Sequence, residues 1–399
     1  MEIHDRLGIR PCINAAGTLT RLGGGPLPAE VVAAMSEAAR ASVDMAELHA
    51  RASAIIAECT GAEAGLVTSG AAAALTLGTA ACLAGLDVAR MDRLPCTAGI
   101  PNTVLMWRVH RTGYDHAIRA AGAAIQEVGF NDRGMGAGVR SIEPWEFEAA
   151  ITAETAAIAY AANAANQPPL AEIAKLAARH RVPLIVDAAA QLPPRENLRR
   201  FIAEGASLVA FSGGKAIRGP QSTGILCGRK DLIASAALQM LDMDVAPESW
   251  APPETFLPRH ALRGIPHHGL GRGFKVGKEE IVGLLVALQR FVAMDLEAEA
   301  ARWDARLARL AKDLAGTPHV SIRILSTGET GRFPFLELTF RESALGRTAW
   351  DISGTLRQGD PSIHLHERRA GEGILTVNPF SLQDGEVEII AKRIKSLLG

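Results

Sequence analysis

Between residues 60 and 240, short apolar runs alternate with longer Ala-rich segments of helical periodicity. The apolar runs have the length and composition of strands. Strands that alternate with helices form a mostly parallel sheet covered on both faces, and ligands bind beyond the carboxyl ends of its strands. The predicted strands are Ala64–Thr68, Ala123–Val128, Ala156–Ala161, Val182–Val186, Leu208–Phe211 and Thr223–Cys227, and the predicted helices are Gly70–Ala84 and Leu170–Arg181.

The length of 399 residues suits two unequal domains. Residues 1–30 are irregular and rich in Gly and Pro, and they predict an N-terminal arm. Residues 31–290 predict a large α/β domain, and residues 291–399 predict a small α+β domain. Further predicted elements are a loop at Ala246–Gly273, one long connecting helix at Lys278–Leu314, a strand at Phe335–Phe340 and a closing helix at Glu386–Leu398.

Composition and charge exclude several classes of protein. The 42 Lys and Arg residues balance 43 Asp and Glu residues, so we expect neither a nucleic acid nor a membrane as partner. Five dispersed cysteines without a CxxC pair predict no disulfide framework and no metal site, and they fit a reducing compartment. The N-terminus carries charges where a signal peptide needs an apolar run, so we expect a cytoplasmic protein.

Two charged residues follow apolar runs and predict a reactive site. Asp187 ends the most apolar segment, in VPLIVDAAAQ, where a carboxylate is costly to bury unless it has a cationic partner. Lys215 lies 28 positions later in FSGGK, where partial desolvation of its amine would favour nucleophilic attack. One helix and one returning strand fit between them, so we expect both side chains at the same edge of the sheet.

A third segment, LVTSGAAAAL, predicts an anion site. It is a strand that ends in Ser69-Gly70 and opens an Ala-rich helix, which aims free backbone N–H groups and a positive dipole at an anion. Ser69, Gly70 and Ala71 are therefore candidate phosphate ligands. Ser212 is a further candidate donor, and Gln191 is a further candidate cofactor contact.

A lysine, a buried anion and a phosphate cradle are what pyridoxal 5′-phosphate (PLP) requires of a protein. The sequence therefore predicts PLP held by a Schiff base to Lys215, with Asp187 paired to the pyridine nitrogen. His110 and Tyr114 are candidates for the wall against the ring or for an acid, and His110 is preferred. His267 and His268 are weaker candidates for the acid.

The order SGAAAAL, VDAAAQLPP and FSGGKAIRGPQSTGILCG resembles one branch of the PLP-dependent fold-type-I enzymes. That branch contains bacterial selenocysteine synthase and D-glucosaminate-6-phosphate ammonia-lyase. The resemblance extends from INAAGTLTRLGG through GRGFKVGKEEIVGL to VNPFSLQDGE, and SGGK…GPQ is its most specific part. It implies an aspartate-aminotransferase-like fold and at least a homodimer.

The segment HRTGYDHAIRAAGA is more similar to the ammonia-lyase side of the branch. The chain also starts almost at once with the cofactor-domain pattern, where the synthase carries a tRNA-binding region. The resemblance therefore implies α,β-elimination of a polar or hydroxylated amino acid, possibly sugar-derived, to a 2-oxo acid and ammonia. An aminotransferase, an aldolase or a racemase shares the same motifs, and a non-catalytic PLP-fold binding protein is the third alternative.

Several cations are candidates for binding the substrate's anionic groups. Arg272 and Lys275 lie three apart in GRGFK, and Arg218 follows the lysine motif. Thr18 and Thr20 belong to the Gly-rich arm that the resemblance places beside the site. Arg368 and Arg369 are the candidates from the C-terminal domain, and of these Arg369 is preferred.

Overall fold

The computed structural model describes residues 3–132, 136, 142–163 and 168–399. Residue contacts divide the chain into two compact units. The smaller unit comprises Met1–Pro26 together with Ala293–Gly399, and the larger unit comprises Leu27–Val292. The domain boundaries predicted at residues 30 and 290 stay predictions.

The strands are β1 Cys12–Ala15, β2 Ala64–Thr68, β3 Thr103–Trp107, β4 Ala124–Val128, β5 Thr155–Ala161, β6 Leu184–Asp187, β7 Leu208–Ser212, β8 Gly224–Gly228, β9 Val320–Leu325, β10 Phe335–Phe340, β11 Ser362–Leu365 and β12 Ile374–Val377.

The α-helices are α1 Ile3–Leu7, α2 Ala29–Ala38, α3 Met45–Thr60, α4 Ala71–Ala84, α5 Val88–Arg93, α6 Asp115–Ala120, α7 Pro144–Ala150, α8 Leu170–His180, α9 Asn197–Ala203, α10 Lys230–Met240, α11 Lys278–Ala293, α12 Leu296–Leu314, α13 Thr327–Thr330, α14 Glu342–Leu345, α15 Ala349–Gln358 and α16 Glu386–Leu398.

The larger unit contains a seven-stranded sheet in the order β2-β8-β7-β6-β5-β3-β4. Strands β3 to β7 pair in parallel, and β8 is antiparallel to both of its neighbours. The inner strands are apolar on both faces because helices cover both faces of the sheet. The predicted mostly parallel sheet is confirmed.

Helix α4 packs across several strands of this sheet and is buried on almost every side. Its Ala-rich sequence favours a helix, and its small side chains allow close approach to the strands. A Cβ added at Gly78 would lie 3.3 Å from side-chain atoms of both Leu208 and Leu226. This packing fixes where the N-terminus of α4 points relative to the strand ends.

The smaller unit is an α+β structure with two small sheets. Strands β12, β10 and β9 form an antiparallel sheet, and β1 pairs in parallel with β11. Side chains from α12, α15 and α16 join these strands in one apolar core. Strand β1 was not predicted, since its four residues CINA are short and only partly apolar.

Most predicted elements of the sheet are confirmed, with small shifts at their ends. Strand β3 was missed by the sequence analysis, although TVLMW is an apolar run of strand length. The single helix predicted at Lys278–Leu314 is wrong, because α11 ends at Ala293 and α12 begins at Leu296. Asp295 caps the second helix by accepting hydrogen bonds from the amides of Glu297 and Ala298. In the residues that the structure describes, no helix combines the length and apolar character needed to cross a bilayer.

Candidate active site

Asp187 is the last residue of β6, at the carboxyl edge of the sheet. One carboxylate oxygen accepts a hydrogen bond from the amide of Ala189 at 3.0 Å. Burial raises the pKa of Asp187 above its ordinary value, while this amide and the charge of Lys215 act in the opposite direction. Burial therefore disfavours the ionised carboxylate, and the amide of Ala189 and the charge of Lys215 offset only part of that effect.

Lys215 lies in a tight turn that follows β7. The amide of Gly213 donates to the carbonyl of Thr223 at 2.8 Å, and the amide of Arg218 donates to the carbonyl of Lys215 at 2.9 Å. A Cβ at Gly214 would lie 2.6 Å from the carbonyl oxygen of Gln221. Close packing therefore requires both glycines before the lysine: Gly214 lies against the backbone of Gln221, and Gly213 lies against the side chains of Thr223 and Leu284.

The phosphate cradle predicted at Ser69, Gly70 and Ala71 forms the turn between β2 and α4. Gly70 is the N-cap residue with φ 99°, and no side chain caps the helix. A Cβ at Gly70 would meet nothing within 4 Å, so open space lies in front of the turn. The first amides of α4 lack partners within the helix and are available to an anion.

Gly224 brings this turn next to the end of β7. In the sheet register, Gly224 pairs with Thr68 on one side and with Ser212 on the other. A Cβ at Gly224 would lie 2.6 Å from the carbonyl oxygen of Gly70 and 2.7 Å from the amide nitrogen of Ala71. Gly224 is not among the site residues predicted from the sequence, although its position in GPQSTG, nine residues after Lys215, was the available signal.

His110 is buried, with 6% of its surface exposed, in a short 3-10 turn after β3. Its ring makes edge contacts with Trp107 and Tyr160 at centroid distances of 4.7 and 4.8 Å. Its Nδ1 accepts from the amide of Ala161 at 3.3 Å. Tyr114, the alternative wall residue, is 65% exposed.

A narrow pocket brings His110 and Asp187 together in the larger unit. Its lining consists of Leu75, Met106, His110, Thr112, Tyr114, Asp115, Ile118, Ala159, Tyr160, Ala161, Ile185 and Asp187. Asp115 is a lining residue that the sequence analysis did not select. It is buried, it pairs with Arg111, and it accepts from the amide of Thr112 at 3.2 Å.

These features fit PLP. The open, uncapped helix start suits a phosphate, and the partly buried carboxylate of Asp187 suits a protonated ring nitrogen. Small residues after β6 leave room for a ring, and Gln191 lies in the turn that follows them. There its carbonyl oxygen accepts from Nδ2 of Asn197 at 2.7 Å.

The predicted substrate-binding cations lie in different settings. Arg272 is partly buried and pairs with Asp242 at 2.5 Å, and Lys275 is exposed. Arg218 adopts a left-handed backbone conformation with φ 59°. His268 lies 3.4 Å from the carboxylate of Asp242.

The remaining predicted residues are those of the smaller unit and His267. Thr20 is exposed at the start of a 3-10 turn, Arg368 is exposed, and Arg369 pairs with Glu337 and Glu372. His267 is exposed, and its Nδ1 lies 2.9 Å from the carboxylate of Asp92. These assignments stay predictions.

Comparisons with known proteins agree with this architecture. Residues 114–243 match the family model described as L-seryl-tRNA selenium transferase. A 5′-C-glycyluridine monooxygenase-decarboxylase from a Streptomyces species is 33% identical over 99% of this chain and 92% of that protein. The D-glucosaminate-6-phosphate ammonia lyase of Salmonella typhimurium (strain 14028s / SGSC 2262) is 30% identical over 99% of this chain and 98% of that protein.

A solved structure of D-glucosaminate-6-phosphate ammonia-lyase superimposes with a TM-score of 0.82 at 28% identity. The match covers 100% of this chain and 98% of the other. The fold class expected from the sequence is thereby confirmed. This chain therefore belongs to the family of PLP-dependent fold-type-I enzymes, in the branch that contains D-glucosaminate-6-phosphate ammonia lyase and L-seryl-tRNA selenium transferase.

Proposed function

We propose that this protein is a PLP-dependent lyase that converts a polar or hydroxylated amino acid into a 2-oxo acid and ammonia by α,β-elimination. One observation carries the proposal: Asp187 and His110 line the same pocket, and the charge of Lys215 acts on Asp187. The full-length similarity to an ammonia lyase supports this choice of reaction.

Each candidate residue has a defined task in this proposal. The amine of Lys215 anchors the cofactor, and Asp187 keeps the ring nitrogen protonated. Ser69, Gly70 and Ala71 hold the phosphate. Two further side chains complete the cofactor site, namely Ser212 and Gln191. When bound, PLP supplies an electron sink for the electron pair left by the α-proton.

The chain's own groups then move the protons. Lys215, once freed from the cofactor, accepts the proton from Cα of the substrate. The β-hydroxyl leaves as water with a proton from Lys215 or from His110, which lies in the pocket beside Asp187. The enamine released into solution takes up water and yields the 2-oxo acid and ammonia, so atoms and charge balance.

We assign the substrate's anionic groups to cations of the GRGFK and FSGGKAIRG segments. Arg272, Lys275 and Arg218 are the candidates, and Thr20 and Arg369 are secondary. Arg272 is held by Asp242, which fixes the direction of its guanidinium. Arg369 is already paired with two carboxylates in its own unit, which favours the first group.

The test combines product analysis with three variants. Candidate β-hydroxy amino acids are incubated with PLP-loaded protein without a keto-acid acceptor, and ammonia and 2-oxo acid are measured. We expect Lys215→Ala to lower the rate at least about 10³-fold and to abolish the visible absorbance of lysine-bound cofactor. Asp187→Asn should lower both PLP affinity and rate. Lys230→Ala, an exposed lysine at the start of α10, is the matched control and should change neither.

Several outcomes would change the assignment. If Lys215→Ala kept the absorbance band, Lys215 would not be the anchor. If turnover required an acceptor, the protein would be an aminotransferase, and products of aldol cleavage or racemisation would indicate those activities. Cofactor binding without turnover of any substrate would favour a non-catalytic binding protein.

A second candidate function rests on the relative named as a monooxygenase-decarboxylase, which covers the chain equally well. That reaction would consume dioxygen and release carbon dioxide. An oxygen electrode and a carbon dioxide assay on the same substrate panel distinguish it from elimination. The elimination proposal fails if turnover depends on dioxygen.

We further propose that the protein works in the cytoplasm on a small-molecule substrate, without a nucleic acid or a membrane as partner. All five cysteines are unpaired, which suits a reducing compartment. The near-balanced charge supports the absence of a polyanionic partner.

A further inference from the structure

A cluster of cations lies in the smaller unit around Glu367. Arg21 and Arg357 approach the carboxylate of Glu367 at 3.7 and 3.3 Å, and Oγ of Ser353 donates to it at 2.6 Å. Arg368 is the next residue along the chain and is exposed. Glu367 therefore pairs with two guanidinium groups, and the neighbouring Arg368 adds a third positive charge, so that the cluster keeps excess positive charge.

Two histidines, His364 and His366, are exposed to the positive charge of this cluster. Burial lowers the pKa of His364 most, and the charges of Arg21 and Arg357 lower it further. Burial also lowers the pKa of His366 most, followed by the charges of Arg368 and Arg21. Glu367 opposes the shift in both cases but does not cancel it. The imidazoles and the guanidinium groups therefore lie in one region of positive electrostatic potential.

The fold holds these groups in place. Ile363 and Leu365 of β11 are buried in the apolar core of the unit, while His364 between them is partly exposed because side chains alternate along a strand. Arg10 donates to the carbonyl oxygens of Arg357, Gln358 and Gly359 at 3.1 to 3.4 Å. It thereby fixes the end of α15 that carries Arg357.

The guanidinium groups of this cluster retain unused donors. Within the described residues, the side chains of Arg21, Arg357 and Arg368 donate no hydrogen bond. In addition, Nδ1 of His364 is buried without a hydrogen-bond partner, and its Nε2 lies 3.2 Å from Oγ of Ser362. A cluster of like charges with free donors gains free energy when it binds an anion.

We propose that Arg21, Arg357 and Arg368, together with His364 and His366, form a binding site for a phosphate-type dianion. Guanidinium groups match the geometry of phosphate oxygens and bind them through paired hydrogen bonds. A dianion suits the site better than a single carboxylate, since three guanidinium charges stand against the single charge of Glu367. The site lies within the smaller unit and does not depend on the reaction proposed above.

The test measures phosphate binding directly. Inorganic phosphate is titrated by calorimetry into PLP-loaded protein, so that the cofactor's own phosphate site is taken. We expect one saturable site per chain and a dissociation constant at least about 10-fold higher in the double variant Arg21→Gln/Arg357→Gln, because charge-assisted hydrogen bonds are lost. Arg309→Gln is the matched control, since Arg309 is an exposed, ion-paired arginine of the same unit.

Thermal unfolding of each variant confirms that it is folded. An unchanged dissociation constant in the double variant, or the absence of saturable binding to the wild-type protein, would overturn the proposal. The source of the phosphate follows from kinetics with a phosphorylated substrate and its unphosphorylated counterpart. If the double variant raises KM for the phosphorylated compound alone, the site holds the substrate's phosphoryl group; if neither KM changes while titration shows weaker binding, the site holds free phosphate.

Discussion

At the scale of single residues, His49 shows how burial sets a protonation state. It lies on α3 with 2% of its surface exposed, and its ring stacks nearly parallel to that of Phe256 at 6.4 Å. Its Nδ1 is buried without a hydrogen-bond partner. Burial lowers the pKa of His49 to about 4, so the folded protein holds a neutral imidazole at neutral pH.

The low pKa of His49 predicts that the folded protein loses stability in acid. Because the unfolded chain has a histidine pKa of about 6.5, it binds more protons than the folded chain between that pH and about 4, and stability falls as the pH falls through this window. The contribution at stake is about 3 kcal/mol. We expect His49→Leu to flatten the pH dependence of the unfolding free energy, measured with urea between pH 4 and 7. His116→Gln, at an exposed histidine, is the control and should leave the slope as in the wild-type protein. If His49→Leu showed the same slope as the wild-type protein, this account would be wrong.

Residue chemistry was the part of the candidate site most accessible to sequence analysis. Asp187, Lys215 and the Ser69-Gly70 turn each carry a local signal, namely a polar residue at or shortly after the end of an apolar run. Arg272 and Arg369 differ from them, because their pairing with Asp242 and Glu337 joins positions far apart in the chain. Local patterns do not report which distant acid an arginine meets.

At the scale of elements, three strand ends and one helix start meet at Gly224. Its neighbours in the register are Thr68 and Ser212, and the turn at Gly70 packs directly over its Cα. The atoms that a Cβ would meet belong to the backbone of Gly70 and Ala71, which no rotamer change can move away. The position of the phosphate cradle therefore depends on a residue that has no side chain.

Gly224→Ala tests this dependence. We expect a loss of about 1–3 kcal/mol in stability, because overpacking forces the backbone to shift. We also expect PLP affinity to fall more than about 10-fold, since the amides at the start of α4 move with the turn. Gly264→Ala is the matched control, because a Cβ there would meet nothing within 4 Å. Equal PLP affinity in both variants, measured by fluorescence titration, would show that the cradle tolerates the shift.

Element boundaries show the limit of local patterns. Strand β6 takes in Asp187 although the predicted strand ended at Val186, because pairing with β7 continues to Ala210. The break between α11 and α12 has a visible signal in the cap residue Asp295, but a continuous apolar period obscured it. Hydrogen-bond partners decide such ends, and partners lie elsewhere in the chain.

At the scale of the whole molecule, exposed apolar side chains of the larger unit predict an interface with a second copy. Val109, Tyr114 and Phe130 are 44%, 65% and 71% exposed, and they follow the carboxyl ends of β3 and β4. Tyr114 also lines the pocket that holds His110 and Asp187. Apolar groups in such a position are typical of association surfaces.

We expect a homodimer of twice 42.1 kDa in sedimentation experiments at micromolar concentration. Phe130→Ser should weaken the dimer at least about 10-fold, because a large apolar side chain is removed from the interface. Trp350→Ser, at an exposed position of the smaller unit, is the control and should leave the mass unchanged. A monomer for the wild-type protein under these conditions would rule out the predicted assembly.

The amino-acid sequence by itself determined the alternation of strands and helices and the order of the motifs around Ser69, Asp187 and Lys215, since both are written in local apolar periodicity and turn residues. Only the tertiary structure decided the rest. It inserted β3 between β5 and β4, placed Gly224 beneath the cradle, and gathered Arg21 and Arg357 around one glutamate. Strand order and ion pairing depend on contacts between distant residues, whose free energies exist only once the chain has folded.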